Sequence, residues 1–311
     1  MSCIYQVESD EFGTYDVLEN AATGVRVKLR RVGAEMVSLA RLATDGTWRG
    51  FLYRDGETAP PASGWANHAT VMGYYLHRLL HERTLYRGVE IRGGNHGFLR
   101  SFPFDAPTFD PNASSLTYHV PVDRIPPEAY PLRVSLNLSY RLLDDGVRVE
   151  FAFSNLEPEL EAHVSFGLHP GFGVSSVESA QVLMPAGTYL RHWAPGNFLD
   201  DRVEAVEHAG GEMPFDKAKL PDSYLVELSK ISGRVFWVAD PESGRTTRLD
   251  FSEVPYLTLW SGGEGFLCVE PCWGLPDSDP QKPFEKKDGI QVIAPNGSFV
   301  AGFSIHPSLT S

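Results

Sequence analysis

Between Leu132 and Phe153 the chain alternates apolar and polar residues with a period of two. Leu132, Val134, Leu136, Leu138, Tyr140 and Leu142 fall on one side, and after the turn LDDG so do Val147, Val149, Phe151 and Phe153. Successive side chains of a strand point to opposite faces, so this pattern buries one stripe and wets the other. Asp144, Asp145 and Gly146 tolerate the dihedrals of a tight turn, and the segment reads as an antiparallel hairpin.

The same grammar runs along the chain. Candidate strands stand at 25–29, 36–40, 115–120, 163–168, 224–228, 234–239, 256–260, 266–271 and 300–305. The 29 glycines and 23 prolines suit many turns and few helices. Only the stretch 76–88 offers a short helix, and it also reads as strand and turn. Parallel α/β architecture needs helices of ten or more residues between its strands, and these are missing. No fixed-period repeat and no long linker divides the sequence. The expectation is an all-β chain, one large and mostly antiparallel β-sandwich domain over residues 1–311, with loops carrying a site that the strands hold in place.

Charge narrows the partners. With 40 acidic and 27 basic side chains the formal net charge is -13, which repels nucleic-acid backbones and anionic membranes. The densest basic run, RVKLRR at 26–31, alternates with apolar residues as the wet face of a strand does. The N-terminus lacks a secretory pattern, and no window approaches 18 apolar residues, so neither secretion nor a membrane span is expected. Three cysteines, Cys3, Cys268 and Cys272, make no disulfide framework and point to a reducing, cytoplasmic setting, where the sequons at Asn112 and Asn296 have no role.

Three stretches stand out by residue type. NHGFLR brings His96 and Arg100 into a glycine-bounded turn, LHPGF carries His169 at the end of a strand, and FLCVEPCWG carries Glu270 before Pro271 and Gly274 close its strand. Taken alone, His169 reads most simply as a loop residue or a hydrogen-bonded core histidine. Glu270 is more informative because strand parity puts it on the face of Phe266 and Cys268. A carboxylate there must be paired, hydrogen-bonded to backbone amides, or functional.

Other chemistries find little support. His77 and His81 have the HxxxH spacing of one helical face but lack the glutamate of zinc proteases, and Cys268 and Cys272 lack a zinc-ribbon partner pair, so no metal is expected. GGNHG has no phosphate-loop lysine, GGEG reads as a hairpin turn, and no GxSxG elbow occurs. Of the tryptophans Trp65, Trp193, Trp237, Trp260 and Trp273, most suit a core. Trp260 and Trp273 flank the Glu270 segment and offer faces for a sugar ring.

Taken in order, HGFLR, LHPGF, FLCVEPCWG and KKDGIQVIAPNGSFVAGFSI resemble the aldose 1-epimerase (galactose mutarotase-like) superfamily in a divergent bacterial branch, over about residues 20–306. The resemblance implies a galactose mutarotase-like supersandwich and an isomerase that interconverts the α and β anomers of an aldose. It implies His169 as general acid, held as imidazolium by nearby carboxylates, and Glu270 as general base. His96, Arg100 and Arg78 are implied as sugar-binding residues. A binding aspartate is expected at Asp222, with Asp216 as second choice. It implies no metal or organic cofactor, a monosaccharide or a sugar phosphate as ligand, and a monomer or homodimer. Two departures, Cys272 between Pro271 and Trp273 and GFG after the HP dipeptide, leave the sugar open. They also keep a noncatalytic carbohydrate-binding sandwich protein as the competing reading, with a sugar lyase or isomerase as a third.

Overall fold

The computed structural model describes residues 3–309, and nearly all of its regular structure is antiparallel strand. Among the described residues there is no α-helix, and the helical pieces are short 3-10 turns. The expected hairpin forms from Val134–Leu142 and Val147–Asn155, with Leu138 opposite Phe151. It belongs to a nine-stranded sheet. A seven-stranded sheet packs against it, with the strands Tyr256–Trp260, Phe266–Trp273, Phe166–Gly173 and Ala69–Met72 side by side. A five-stranded sheet contains the strands between Ile4 and Gly50.

The apolar stripes of the two large sheets meet in one cluster that reaches from Cys3 to Ile305. Phe151 and Phe153 from the hairpin touch the ring of Phe166 at 4.9 and 4.8 Å, and Phe166 stacks on Trp273 at 4.9 Å with 8° between planes. Each such buried phenylalanine contributes about 1.5–3 kcal/mol through area removed from water. Trp273 is therefore core, which removes it as a sugar platform. The reason is parity: it lies three residues from Glu270 and faces the opposite side of its strand.

The sheet also differs from expectation at its centre. The segment 163–168 is broken at Ser165 into Ala162–Val164, which pairs with Gln291–Ile293, and Phe166–Gly173. His169 thus sits within a strand and does not end one. Glu270 likewise lies inside Phe266–Trp273, which runs past Pro271. Pro170 and Pro271 lack the N–H that a central strand normally donates. The strands run on because their outer neighbours hold the register, with His169 opposite Thr70 and Glu270 opposite Thr258. In the stretch 76–88 the strand-and-turn reading is the one observed: a 3-10 turn, Leu80–Glu82, leads into the strand Arg83–Tyr86.

Candidate active site

His169 and Glu270 face each other across the middle of the seven-stranded sheet. Gly167 pairs with Cys272 and Gly171 with Cys268, so the same register places His169 opposite Glu270. Nε2 of His169 stands 3.3 Å from Oε1 of Glu270. The glycines on either side of His169 explain the sequence FGLHPGFG. A Cβ on Gly171 would stand 2.3 Å from the Trp65 ring, and one on Gly167 would stand 2.3 Å from the Pro271 carbonyl oxygen. Their absence lets the strands close up and lets Trp65 lie over His169, with ring centroids 5.2 Å apart.

The pair forms the floor of a cavity of about 350 Å³. Trp260 packs edge-on to His169 at 5.5 Å, and His96 packs edge-on to it at 5.2 Å, with His77 a further 5.6 Å behind His96. Arg78 and Arg100 line the cavity too, as do Asn67, Thr70, Asn95, Asn197 and Ser223. Neither guanidinium is ion-paired or hydrogen-bonded to another group among the described residues. Nδ1 of His96, Nδ1 of His169, Nε2 of His77 and Oε2 of Glu270 are buried and lack hydrogen-bond partners among those residues. Buried polar atoms are rarely left so, and here several of them converge on one space.

Backbone strain gathers at the same place. Twelve non-glycine residues have a positive φ among the described residues, and four of them line this cavity: His77 (55°), His96 (63°), Asn197 (71°) and Ser223 (53°). Such conformations cost about 1–3 kcal/mol each and persist where surrounding structure enforces them. At Asn197 and Ser223 that enforcement includes a side-chain bond, in which Ser223 Oγ donates to Asn197 Oδ1 at 3.2 Å.

A buried clamp ties the rim together. Lys287 Nζ lies 3.0 Å from Asp277 Oδ1, both side chains almost fully enclosed. Asp277 Oδ2 accepts from the Leu80 N–H and from Gln281 Nε2, and the Asp277 backbone N–H donates to the Arg78 carbonyl. The same residue's carbonyl accepts from the Leu199 N–H. Asp277 thus joins the segment bearing His77 and Arg78 to the turn bearing Asn197 through its backbone, while its carboxylate holds Leu80, Gln281 and Lys287.

Burial dominates the electrostatics. It pushes His169 down to about 3, with the Arg100 charge adding to the effect. His77 is also held at about 3 by burial, with the charges of His169 and Lys287 adding, and His96 falls well below its usual range for like reasons. Burial raises Glu270 well above the ordinary carboxylate range. Burial thus opposes charge on both members of the pair, disfavouring the expected imidazolium at His169 and a carboxylate at Glu270.

Five of the six site residues singled out from sequence line this one cavity: His169, Glu270, His96, Arg100 and Arg78. Asp222 does not. It closes the 3-10 turn Lys217–Asp222 on the surface and lines a neighbouring cavity with Arg191 and Trp193. Asp216 caps that turn by accepting from the Ala218 N–H at 3.1 Å and lines the same neighbouring space. The chain turns at Ser223 before the strand Tyr224–Glu227, so the serine, and not the aspartate, reaches the site. His81 lies outside the cavity, because no helix is present to align it with His77. Sequence reasoning did not assign Trp65, Asn67, Thr70, His77, Asn95, Asn197 or Ser223 to the site. His77, Asn95 and Ser223 adjoin Arg78, His96 and Asp222 in sequence, which is a usable signal; Trp65, Asn67, Thr70 and Asn197 have none.

Residues 90–306 match the aldose 1-epimerase family, and the chain belongs to it. Protein LacX, encoded on a plasmid of Lactococcus lactis subsp. lactis, is 25% identical over 227 residues, covering 69% of this chain and 74% of that protein. Among solved structures, a galactose mutarotase related enzyme from Lactobacillus acidophilus superposes with a TM-score of 0.81 at 20% identity, covering 99% of this chain and 98% of that one. A galactose mutarotase-like protein from Lactobacillus casei gives 0.79 at 19% identity, covering 98% of this chain and all of the other. The fold is the galactose mutarotase-like sandwich.

Proposed function

We propose that this protein is a mutarotase, converting the α and β anomers of an aldose into one another with His169 and Glu270 as the proton-transferring pair. The observation that carries the reading is their meeting at 3.3 Å on the floor of a cavity into which several uncommitted polar atoms converge. Family membership supports the class of reaction.

The pair holds one proton. Polar hydroxyls of a bound sugar lower the cost of charge at the floor, and shift of the proton from Glu270 to His169 then yields a carboxylate and an imidazolium. Glu270 takes the proton of the anomeric hydroxyl while His169 protonates the ring oxygen. The C1–O5 bond breaks to give the open-chain aldehyde. Rotation about C1–C2 turns the other carbonyl face to O5, and the reverse transfers close the ring. His96, Arg100 and Arg78 hold the hydroxyls and steady the carbonyl oxygen. Trp65 and Trp260 exclude water and supply ring faces.

The test is anomer exchange, followed by polarimetry or NMR saturation transfer across a panel of aldoses. Glu270→Gln should reduce the rate by about 10²- to 10⁴-fold; exchange retained in that variant defeats the assignment. The pH profile gives a second check. Adding a proton means charging His169, resisted down to about 3, and removing one means ionising Glu270, resisted to well above its ordinary value. The active one-proton form therefore spans a broad plateau and is lost on the alkaline side. A rate that halves just below the ordinary histidine value of about 6.5 contradicts this.

A second reading, a sugar-phosphate mutarotase, is favoured by Arg78 and Arg100, two cations without acidic partners in a cavity of an acidic protein. Comparing KM for an aldose and its phosphate ester decides it, since planar guanidinium groups grip phosphate bidentately. Binding without acceleration points to a noncatalytic carbohydrate-binding protein, and net product to a lyase or isomerase. The protein is read as one domain acting without metal or organic cofactor in the cytoplasm. No helix among the described residues is long and apolar enough to cross a membrane.

A further inference from the structure

Cys268 has no part in the proton transfers above, yet it lies two residues before Glu270 on the same strand and so on the same face. Its sulfur, a ring nitrogen of His169 and a carboxylate oxygen of Glu270 all lie within 4.8 Å of one another, and all three residues are buried. Ligands at 2.0–2.3 Å from a tetrahedral zinc ion stand roughly 3.3–3.7 Å apart. The 3.3 Å between His169 Nε2 and Glu270 Oε1 already meets that spacing. The thiol has at most about an ångström to close. Thiolate, imidazole and carboxylate are the donor types zinc selects.

A second observation points the same way. His169 Nδ1 and Glu270 Oε2 lack hydrogen-bond partners among the described residues, so no protein bond on those atoms has to be broken when the ring or the carboxylate turns toward an ion. His169 and Glu270 line the cavity, so an ion can reach them from it, with Cys268 buried beside them.

We propose that Cys268, His169 and Glu270 form a binding site for a thiophilic divalent cation, of the zinc type, at the floor of the cavity. The ion is an inhibitor, and this part of the inference rests on the mutarotase reading. It occupies the lone pairs that the proton transfers use and competes with the sugar for the same space. On binding, the S–H bond of Cys268 and the O–H bond of Glu270 break, both protons pass to solvent, and metal–sulfur and metal–oxygen bonds form; nothing is oxidised or reduced.

The experiment uses Co²⁺ as a spectroscopic probe on the full chain, under reducing and oxygen-free conditions, with Zn²⁺ inhibition of anomer exchange as a second readout. The wild type should show a thiolate-to-cobalt charge-transfer band and the strong visible bands of tetrahedral Co²⁺. Cys268→Ser should lose the charge-transfer band and raise the Zn²⁺ concentration for half inhibition at least about ten-fold, the lower end of what even outer-shell contacts carry. Its metal-free exchange rate should stay within about two-fold of wild type. Cys272→Ser, a buried thiol outside the cluster, should retain the band. If Cys268→Ser does not fold, Glu270→Gln decides, since it must weaken Co²⁺ binding while leaving the thiolate band at saturation. No thiolate band in the wild type, or unchanged Zn²⁺ inhibition in Cys268→Ser, overturns the site. Should the protein exchange no anomers at all, the cobalt band still decides the metal site, so the two readings fail separately.

Discussion

The strands Val134–Leu142 and Phe266–Trp273 belong to facing sheets and are built on opposite terms. Along the first, buried positions alternate with wetter ones, while along the second every residue is buried. The first strand has one face on the core and one on solvent, so its side chains announce their direction. The second has the core on one face, with Leu267, Val269 and Trp273, and on the other Glu270, which lines the cavity, with Cys268 buried beside it. Polar groups on that second face are buried away from bulk solvent, which is what makes them reactive and also what makes them costly. Function in this molecule occupies the face where the alternation rule has nothing to report.

The largest effect should come from Glu270→Gln. Beyond the loss of anomer exchange, the variant should be more stable than the wild type at alkaline pH. Burial raises the folded-state value of Glu270 well above 4.5. Its favourable contribution is therefore complete below the unfolded value and is lost as pH rises through the folded one. An amide escapes that loss, so the gain in melting temperature should be larger at pH 8 than at pH 5; a gain that shrinks with pH contradicts the placement of a neutral carboxyl here.

Next in size is Lys287→Met. Removing one partner of a buried pair typically costs about 3–5 kcal/mol because the other charge is stranded. Asp277 joins the Arg78 segment to the Leu199 turn, so denaturant unfolding should show the loss, and Asp277→Asn added to Lys287→Met should recover part of it. Equal stability of the single and double variants would mean that the pair is not coupled. Gly171→Ala should follow, at about 1–3 kcal/mol for overpacking. A Cβ at 2.3 Å from Trp65 drives that ring off His169. KM for the sugar should rise, and an unchanged KM would remove Trp65 from the binding surface.

These variants also mark what could be read before the coordinates. The hairpin, the strand 115–120 and the strand 256–260 were legible because one face of each is regularly apolar, or because turn residues bound them. The ends of Phe166–Gly173 and Phe266–Trp273 were not, since Pro170 and Pro271 read locally as terminators and only neighbouring strands overrule them. At the site, His169, Glu270, His96, Arg100 and Arg78 were found through short ordered motifs. The sequence points to Asp222, one residue away from Ser223, the residue that enters the cavity. That difference depends on a left-handed backbone at Ser223, and serine gives no sign of it in sequence as glycine would. Trp65 was lost among several tryptophans because its partner is a missing side chain, that of Gly171.

The smallest effect belongs to the alternating sheet and serves as the control for the rest. Thr117 and Ser139 face each other across strands Ser115–Val120 and Val134–Leu142, on the side away from the core, with their hydroxyl oxygens 2.8 Å apart. Cross-strand pairs of this kind contribute about 0.2–1 kcal/mol. A double-mutant cycle with Thr117→Val and Ser139→Ala should return a coupling in that range by denaturant unfolding, while anomer exchange and the cobalt band remain at wild-type values. The hydroxyls lie on a wetter face, where water replaces a lost partner, whereas the enclosed pair of Lys287 and Asp277 has no such substitute. A coupling as large as that of the buried ion pair, or a change in exchange rate, would show that the wetter face of this sheet is energetically tied to the site, and the contrast between the two strands would fail.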